Sequence, residues 1–184
     1  MNVRPTALPG VLVIEPQVYR DQRGWFFEAY QQARYRERGM APAFVQSNQS
    51  HSTRGVLRGM HYQLGRPQDK LVRVLAGTVL DVAVDVRRGS PTFGRWAAQE
   101  LSGENLLQLY VPKGFAHGFY VTSDTADVEY LCSDYYAPQE ERAIRWDDPT
   151  VAIAWPEGPR NIAPKDAQAP LLRDQPDLPA YGVP

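Results

Sequence analysis

Histidine is scarce in this chain, so its chemistry can be weighed one residue at a time. There are 3, namely His51, His61 and His117. His61 lies in Leu57-Arg58-Gly59-Met60-His61-Tyr62-Gln63, and His117 in Gly114-Phe115-Ala116-His117-Gly118-Phe119. Both segments read as strands interrupted by glycine, which marks a bulge or a close approach by a ligand. Strict alternation puts Arg58 and His61 on opposite faces, so only a bulge at Gly59 brings both to one pocket. A neutral imidazole is a good proton acceptor near pH 7. Tyr130, in Val128-Glu129-Tyr130-Leu131-Cys132, is a candidate acid with an ordinary pKa of about 10. Lys70, Arg58 and Arg23 can hold anions or a developing enolate. A plain structural reading competes at each position. A strand histidine can be a satisfied core residue, and a tyrosine an ordinary core residue. His51, beside Ser50, Ser52 and Thr53, reads as a solvated loop residue, and Lys165-Asp166 as surface charge. A catalytic metal is not expected: zinc and iron sites usually take three protein ligands, and only His61 and His117 are plausible ones.

The elements that must position these residues are short strands and turns. The pattern predicts strands at Val11 to Glu15, Gly24 to Tyr30, Ala43 to Gln49, Val56 to Gln63, Lys70 to Ala76 and Thr78 to Val86. Further strands are expected at Arg95 to Leu101, Leu106 to Val111, Ala116 to Thr122, Ala126 to Ser133 and Ala143 to Trp146. Leu80, Val82, Val84 and Val86 alternate as in a half-buried strand. Gln31 to Arg38 is the one helix the pattern supports, with Gly39 as its stop. Strands spaced by roughly 8–12 residues with turn residues between them indicate an antiparallel sandwich or barrel. From Pro156 onward prolines accumulate, so an extended tail lying over the body is expected instead of a second domain.

With 184 residues, 43% hydrophobic and 22% charged, the chain has enough apolar material for one globular domain and too much to be disordered. A net charge of -1 argues against a nucleic-acid footprint or a polybasic membrane anchor. No apolar run approaches the ~18 residues of a membrane span. The stretch Leu12 to Ile14, flanked by Pro9 and Pro16, is too short for a signal-peptide core, so the cytoplasm is the expected location. One cysteine, Cys132, excludes a disulfide within the chain. Dinucleotide, phosphate-loop and nucleophile-elbow motifs are absent.

Ordered along nearly the whole chain are Asp21-Gln22-Arg23-Gly24-Trp25-Phe26-Phe27-Glu28, Phe44-Val45-Gln46-Ser47-Asn48, Val56 to Gln63, Lys70-Leu71-Val72-Arg73, Val84 to Gly94, Gly114 to Phe119, Asp134-Tyr135-Tyr136-Ala137-Pro138, Ile144 to Pro149 and Lys165-Asp166. In these pieces the sequence resembles the deoxythymidine-diphosphate (dTDP) 4-dehydrorhamnose 3,5-epimerase family. The resemblance implies an all-β, cupin-like jelly-roll sandwich without a metal or other cofactor. It also implies a homodimer in which N-terminal strand material, carrying Arg23, Phe26 and Glu28, reaches the partner's pocket. The implied substrate is a dTDP 4-keto-6-deoxy sugar, whose ketone acidifies the hydrogens on C3 and C5. Carried over residue by residue, His61 matches the base and Asp166 the carboxylate that orients it. Tyr130 matches the proton donor on the opposite face and Lys70 the cation beside the sugar O4. Arg23, Arg58 and Lys165 match contacts to diphosphate or sugar oxygens, and Gln46, Asn48 and Glu28 contacts to the nucleotide's polar edges. His117 and Glu141 match further polar contacts, Tyr136 a stacking partner for thymine, and Phe26 part of the shared N-terminal segment. Ser47 and Gln49 depart from the family's frequent Asp and His, and Leu131 from a frequent Lys. These departures are expected to retune sugar or nucleotide preference. Inversion at C3 alone and 3,4-ketoisomerisation are the alternatives.

Overall fold

The computed structural model describes residues 1–41 and 43–182. Its strands are β1 (Asn2–Pro5), β2 (Leu12–Glu15), β3 (Val18–Asp21), β4 (Gly24–Phe27), β5 (Gln46–Thr53), β6 (Val56–Gln63), β7 (Lys70–Ala76), β8 (Thr78–Asp85), β9 (Trp96–Ser102), β10 (Gln108–Val111), β11 (Phe115–Val121), β12 (Thr125–Cys132), β13 (Glu141–Ala143) and β14 (Asn161–Ile162). Two short helices accompany them, α1 (Gln32–Glu37) and α2 (Pro164–Ala167). One sheet has the order β1-β2-β10-β7-β12-β5, and a second runs β13-β6-β11-β8-β9 with β14 joined to β6. The pair β3-β4 stands apart as a two-stranded hairpin. All pairings are antiparallel except β14 with β6, which is parallel. The result is an all-β sandwich.

Three clusters hold the layers together. Between the sheets, Val72, Val74, Ala126 and Val128 of the first face Val79, Ala83, Phe115, Phe119 and Val121 of the second. The outer side of the second sheet carries Met60, Tyr62, Val82, Val84 and Ala116. Val151, Trp155, Leu172 and Leu178 from the C-terminal segment cover it. Outside the first sheet, Tyr35 of α1 packs with Ile14, Leu71 and Tyr110. The α1 start is capped by the Gln31 side chain, which accepts from the Arg34 amide at 2.7 Å. Among the described residues no helix is long and apolar enough to cross a membrane.

Several expectations need correction. β8 is not half-buried: Val79, Asp81 and Ala83 face one layer and Val82 and Val84 the other, and all are closed off from water. It is a central strand with a packed layer on each side. The single expected helix is joined by α2, inside the segment read as an extended tail. Pro164 occupies its first turn, where a missing amide hydrogen costs nothing. The strand expected at Ala43 to Gln49 runs instead from Gln46 to Thr53. His51 is therefore a strand residue and not a loop residue, although it remains exposed and meets Asp127 on β12 at 3.0 Å. The last two residues of the proline-rich segment, Val183 and Pro184, lie outside the described residues.

Candidate active site

A cleft of about 590 Å³ opens between the sheets. The first sheet contributes Gln46, Asn48 and Ser50 from β5, Lys70 from β7 and Tyr130 from β12. The second contributes Arg58 and His61 from β6 and His117 and Phe119 from β11. Tyr136, Glu141, Lys165 and Asp166 complete the rim.

The bulge required at Gly59 is present. His117 pairs with His61 but Phe119 pairs with Arg58, so Gly118 alone on β11 opposes both Gly59 and Met60 on β6. The extra residue turns Arg58 and His61 to the same cleft. Only glycine fits there: φ is +117°, and a Cβ at Gly59 would lie 2.7 Å from Gly118 Cα and from the His117 carbonyl oxygen. The bulge also frees the Gly59 amide, which donates to Asp166 Oδ2 at 3.2 Å.

Asp166 Oδ1 lies 2.7 Å from His61 Nε2. Asp166 is buried, at 2% exposed. Burial alone would raise its pKa, yet the bond and charge of His61, the Gly59 amide and Lys165 outweigh it and hold the carboxyl below its ordinary value. The carboxylate fixes the ring, leaving Nδ1 as the atom turned from it. Nδ1 stands 4.0 Å from Glu141 Oε1. Glu141 ties the rim together, with its Oε2 accepting from Tyr136 Oη at 3.2 Å and from Lys165 Nζ at 3.1 Å. Burial works against the Lys165 charge, but Glu141 and Asp166 more than offset it and hold its pKa above the ordinary value.

On the facing sheet, the Lys70 ammonium lies 6.0 Å from the centre of the Tyr130 ring. Burial pushes the Lys70 pKa down, opposed by Cys132, Asp81 and Glu141. Burial pushes the Tyr130 hydroxyl up from the ordinary value, and Cys132 adds to this while Arg58 opposes it. A tyrosine raised in this way stays protonated and is suited to give a proton. Gln46 donates to Asn48 at 2.9 Å and accepts from the Tyr136 amide at 2.9 Å. Arg58 is anchored on Ser52 Oγ at 3.1 Å. His117, read first as a core histidine, is nearly buried yet lines the cleft, with Nε2 2.8 Å from Asp81 Oδ1.

Three expected site residues are not in this cleft. Phe26 is 70% exposed on the β3-β4 hairpin. Arg23, on the same hairpin, pairs with Asp21 at 2.5 Å, and Glu28 just beyond it pairs with Arg34 at 3.1 Å. Ser47, Gln49 and Leu131 also stay out of it. Each alternates with a cleft residue along β5 or β12, and Ser47 pairs with Leu131 across the sheet. Leu131 packs beside Leu71 and Tyr35 on the outer face. Retuning of substrate preference by direct contact within this chain is therefore excluded for these three. Sequence reasoning missed Asp81 and Ser50. The signal for Asp81 was a carboxylate inside the apolar run Val79-Leu80-Asp81-Val82. Ser50 looked like one more loop serine.

Residues 5–174 match the profile of the dTDP-4-dehydrorhamnose 3,5-epimerase family. A relative of that name from Neisseria gonorrhoeae is 50% identical over 167 residues, 90% of this chain, and this chain spans about half (51%) of that longer relative. A relative of the same name from Pseudomonas aeruginosa is 48% identical over 95% of this chain and 97% of its own length. Among solved structures, a dTDP-6-deoxy-D-glucose-3,5-epimerase from Legionella pneumophila, in complex with dTDP-4-keto-L-rhamnose, superposes with a TM-score of 0.96. It is 52% identical, with 99% of each chain covered. A match over this much of the chain, at this identity, places the chain in the dTDP-4-dehydrorhamnose 3,5-epimerase family.

Proposed function

We propose that this chain inverts C3 and C5 of dTDP-4-keto-6-deoxy-D-glucose to give dTDP-4-keto-L-rhamnose, by enolisation and reprotonation. The observation that carries this reading is the placement of the His61–Asp166 pair on one wall of the cleft and of Lys70 and Tyr130 on the other. His61 Nδ1 takes a proton from a carbon beside the ketone. The C–H electron pair becomes the enolate, and negative charge collects on O4. Lys70 faces that charge, and preorganised positive charge at such a point can be the largest catalytic term. Tyr130 then gives its proton to the other face of the carbon, which inverts it. Asp166 keeps the imidazole in the tautomer that can accept, and stabilises the imidazolium that forms. Arg58 and Lys165 suit the diphosphate or sugar oxygens. Gln46 and Asn48 suit the base edges, Tyr136 suits stacking on thymine, and His117 and Glu141 line the sugar. No cofactor is needed for this chemistry.

The same reading takes the fold as a cupin-like jelly roll and residues 1–184 as one domain, with 156–184 packed over the sandwich. It takes the working unit as a cytoplasmic homodimer. The β3-β4 hairpin, with Tyr19, Trp25 and Phe26 all more than half exposed, would carry Arg23, Phe26 and Glu28 to the partner's cleft. The test is mass spectrometry of the proposed substrate after incubation with the protein in deuterated water. Label at both C3 and C5 is expected. Label at C3 alone would make the protein a single-centre epimerase, and none at either carbon would remove the epimerase reading.

A further inference from the structure

The β3-β4 hairpin pairs with neither sheet. A two-stranded hairpin has little stability of its own, so its direction depends on what holds its roots. The root after β4 is held by groups that the reaction does not use. Gln108 on β10 and Arg73 on β7 are direct partners in the first sheet. Gln108 is 0% exposed and Tyr35 of α1 is 1% exposed. Gln108 Nε2 donates to the Ala29 carbonyl oxygen at 2.8 Å, and Gln108 Oε1 accepts from Tyr35 Oη at 2.7 Å. Tyr35 Oη also lies 3.0 Å from the same Ala29 oxygen. A carbonyl can only accept, so Gln108 must turn its NH2 end to Ala29. Burial pushes the Tyr35 pKa up to about 12, so its hydroxyl keeps its proton and stays a donor. Arg73, held by Glu129 Oε2 at 2.6 Å, sets its guanidinium 6.0 Å from the centre of the Phe27 ring. Phe27 and Ala29 are thus fixed on either side of Glu28.

Packing alone does not call for an amide here. Its surroundings outside the first sheet are Ile14, Tyr35, Leu71 and Tyr110. An apolar residue of like size would fill the space without the cost of desolvating an amide. What the amide adds is a fixed backbone point: it ties one carbonyl of a connecting segment to β10.

We propose that Gln108 is a positioning residue acting across the dimer: by holding the Ala29 carbonyl, together with Tyr35, it aims the hairpin so that Arg23, Phe26 and Glu28 meet substrate in the partner's cleft. This rests on the dimer reading above. The side-chain hydrogen bonds of Gln108 go to no residue lining its own cleft, so its effect on catalysis is exerted in the other subunit.

The experiment uses mixed dimers, made by co-expressing two differently tagged subunits and purifying on both tags. Deuterium exchange into dTDP-4-keto-6-deoxy-D-glucose is the readout. Wild type exchanges both carbons; if it exchanges neither, the epimerase reading fails and this proposal falls with it. In the homodimer, Gln108→Leu is expected to raise KM about 10- to 100-fold, as a small misplacement of binding groups does, with a lesser fall in kcat. An unchanged KM overturns the proposal. His61→Ala homodimers are expected to be inactive. Pairing the two variants should restore one cleft, because the Gln108→Leu subunit keeps its own His61 and receives the intact hairpin of the other. That mixed dimer should show the wild-type KM and about half the wild-type kcat per dimer. A Gln108 that served only the packing of its own chain would leave the defect in that cleft, and a KM still raised in the mixed dimer overturns the proposal. Arg23→Ala paired with His61→Ala is the control. If the control pair is not restored, the hairpin does not reach the partner's cleft, and the dimer reading fails and takes this proposal with it. If the control is restored and the Gln108 pair is not, the proposal alone fails. Should Gln108→Leu not fold, Tyr35→Phe takes its place with the same expectations, since it removes the hydroxyl from the same cluster and keeps the ring.

Discussion

At the scale of single residues, the cleft places its charges where burial disfavours them. Asp166 is ionised against the cost of desolvation because His61, the Gly59 amide and Lys165 all favour the anion. Its pKa in the folded chain is lowered, so its contribution to stability is complete above the ordinary carboxylate pKa of about 3.9. That contribution is lost only as pH falls through the lower, folded value. Asp166→Asn is therefore expected to be less stable than wild type at pH 7 and to lose that difference in acid, as read by urea midpoints across pH. Its proton exchange should fall by about 10²–10⁴, the usual worth of a general base; near-normal exchange would remove Asp166 from the mechanism. Lys70 behaves in the opposite sense. Burial lowers its pKa, so its charge costs stability below the folded value, and the cost is relieved as pH rises from there to the ordinary lysine value of about 10.4. Lys70→Met should lose about 10²–10³ in turnover while unfolding no earlier than wild type at pH 7. A variant that is both inactive and markedly less stable would show that Lys70 serves the fold.

At the scale of elements, the decisive feature is one extra residue in β6. Without the bulge at Gly59, alternation would send Arg58 and His61 to opposite faces. Asp166 would also lose the amide that holds its second oxygen. Gly59→Ala is expected to destabilise the protein by more than the ~1–3 kcal/mol of a strained backbone conformation, since its Cβ would also meet β11. Calorimetry checks the first effect. Exchange measured on whatever fraction folds checks the second, which should fall with displacement of His61. A Tm within a degree of wild type would contradict this account. α2 has the companion task. It is only four residues long, yet it carries Asp166 to His61 and the Gly59 amide on the cleft side of β6, while Lys165 meets Glu141.

At the scale of the whole molecule, the C-terminal segment acts as a third layer. Val151, Trp155, Leu172 and Leu178 cover the second sheet's outer face, and Asp177 holds Arg142 at 2.7 Å. Truncation after Trp155 is expected to remove Asp166 and also to expose Val82 and Val84, giving a protein that binds hydrophobic dyes and has no exchange activity. The β3-β4 hairpin is the opposite case, an aromatic surface without cover in one chain. On the homodimer proposed above, Trp25→Ser combined with Phe26→Ser should shift the protein to monomer in light scattering and lower activity at nanomolar protein. An unchanged oligomer would remove the hairpin from the dimer contact.

What the sequence determined by itself was the material and its order: a β-rich chain, strands at Val56–Gln63 and Lys70–Ala76 as observed, and the residues able to move protons. It also carried the requirement for a bulge at Gly59, because alternation along one strand is a local rule. Tertiary structure decided what depends on distant neighbours. Only packing shows that β8 is covered on both sides, that Asp166 reaches His61 across 105 positions of sequence, and that Ser47 and Leu131 point away from the cleft. Only packing shows that Asp81 lies under His117. The apolar run around it marks Asp81 as a buried carboxylate, but its partner is 36 residues away, and no local pattern names the imidazole it folds against.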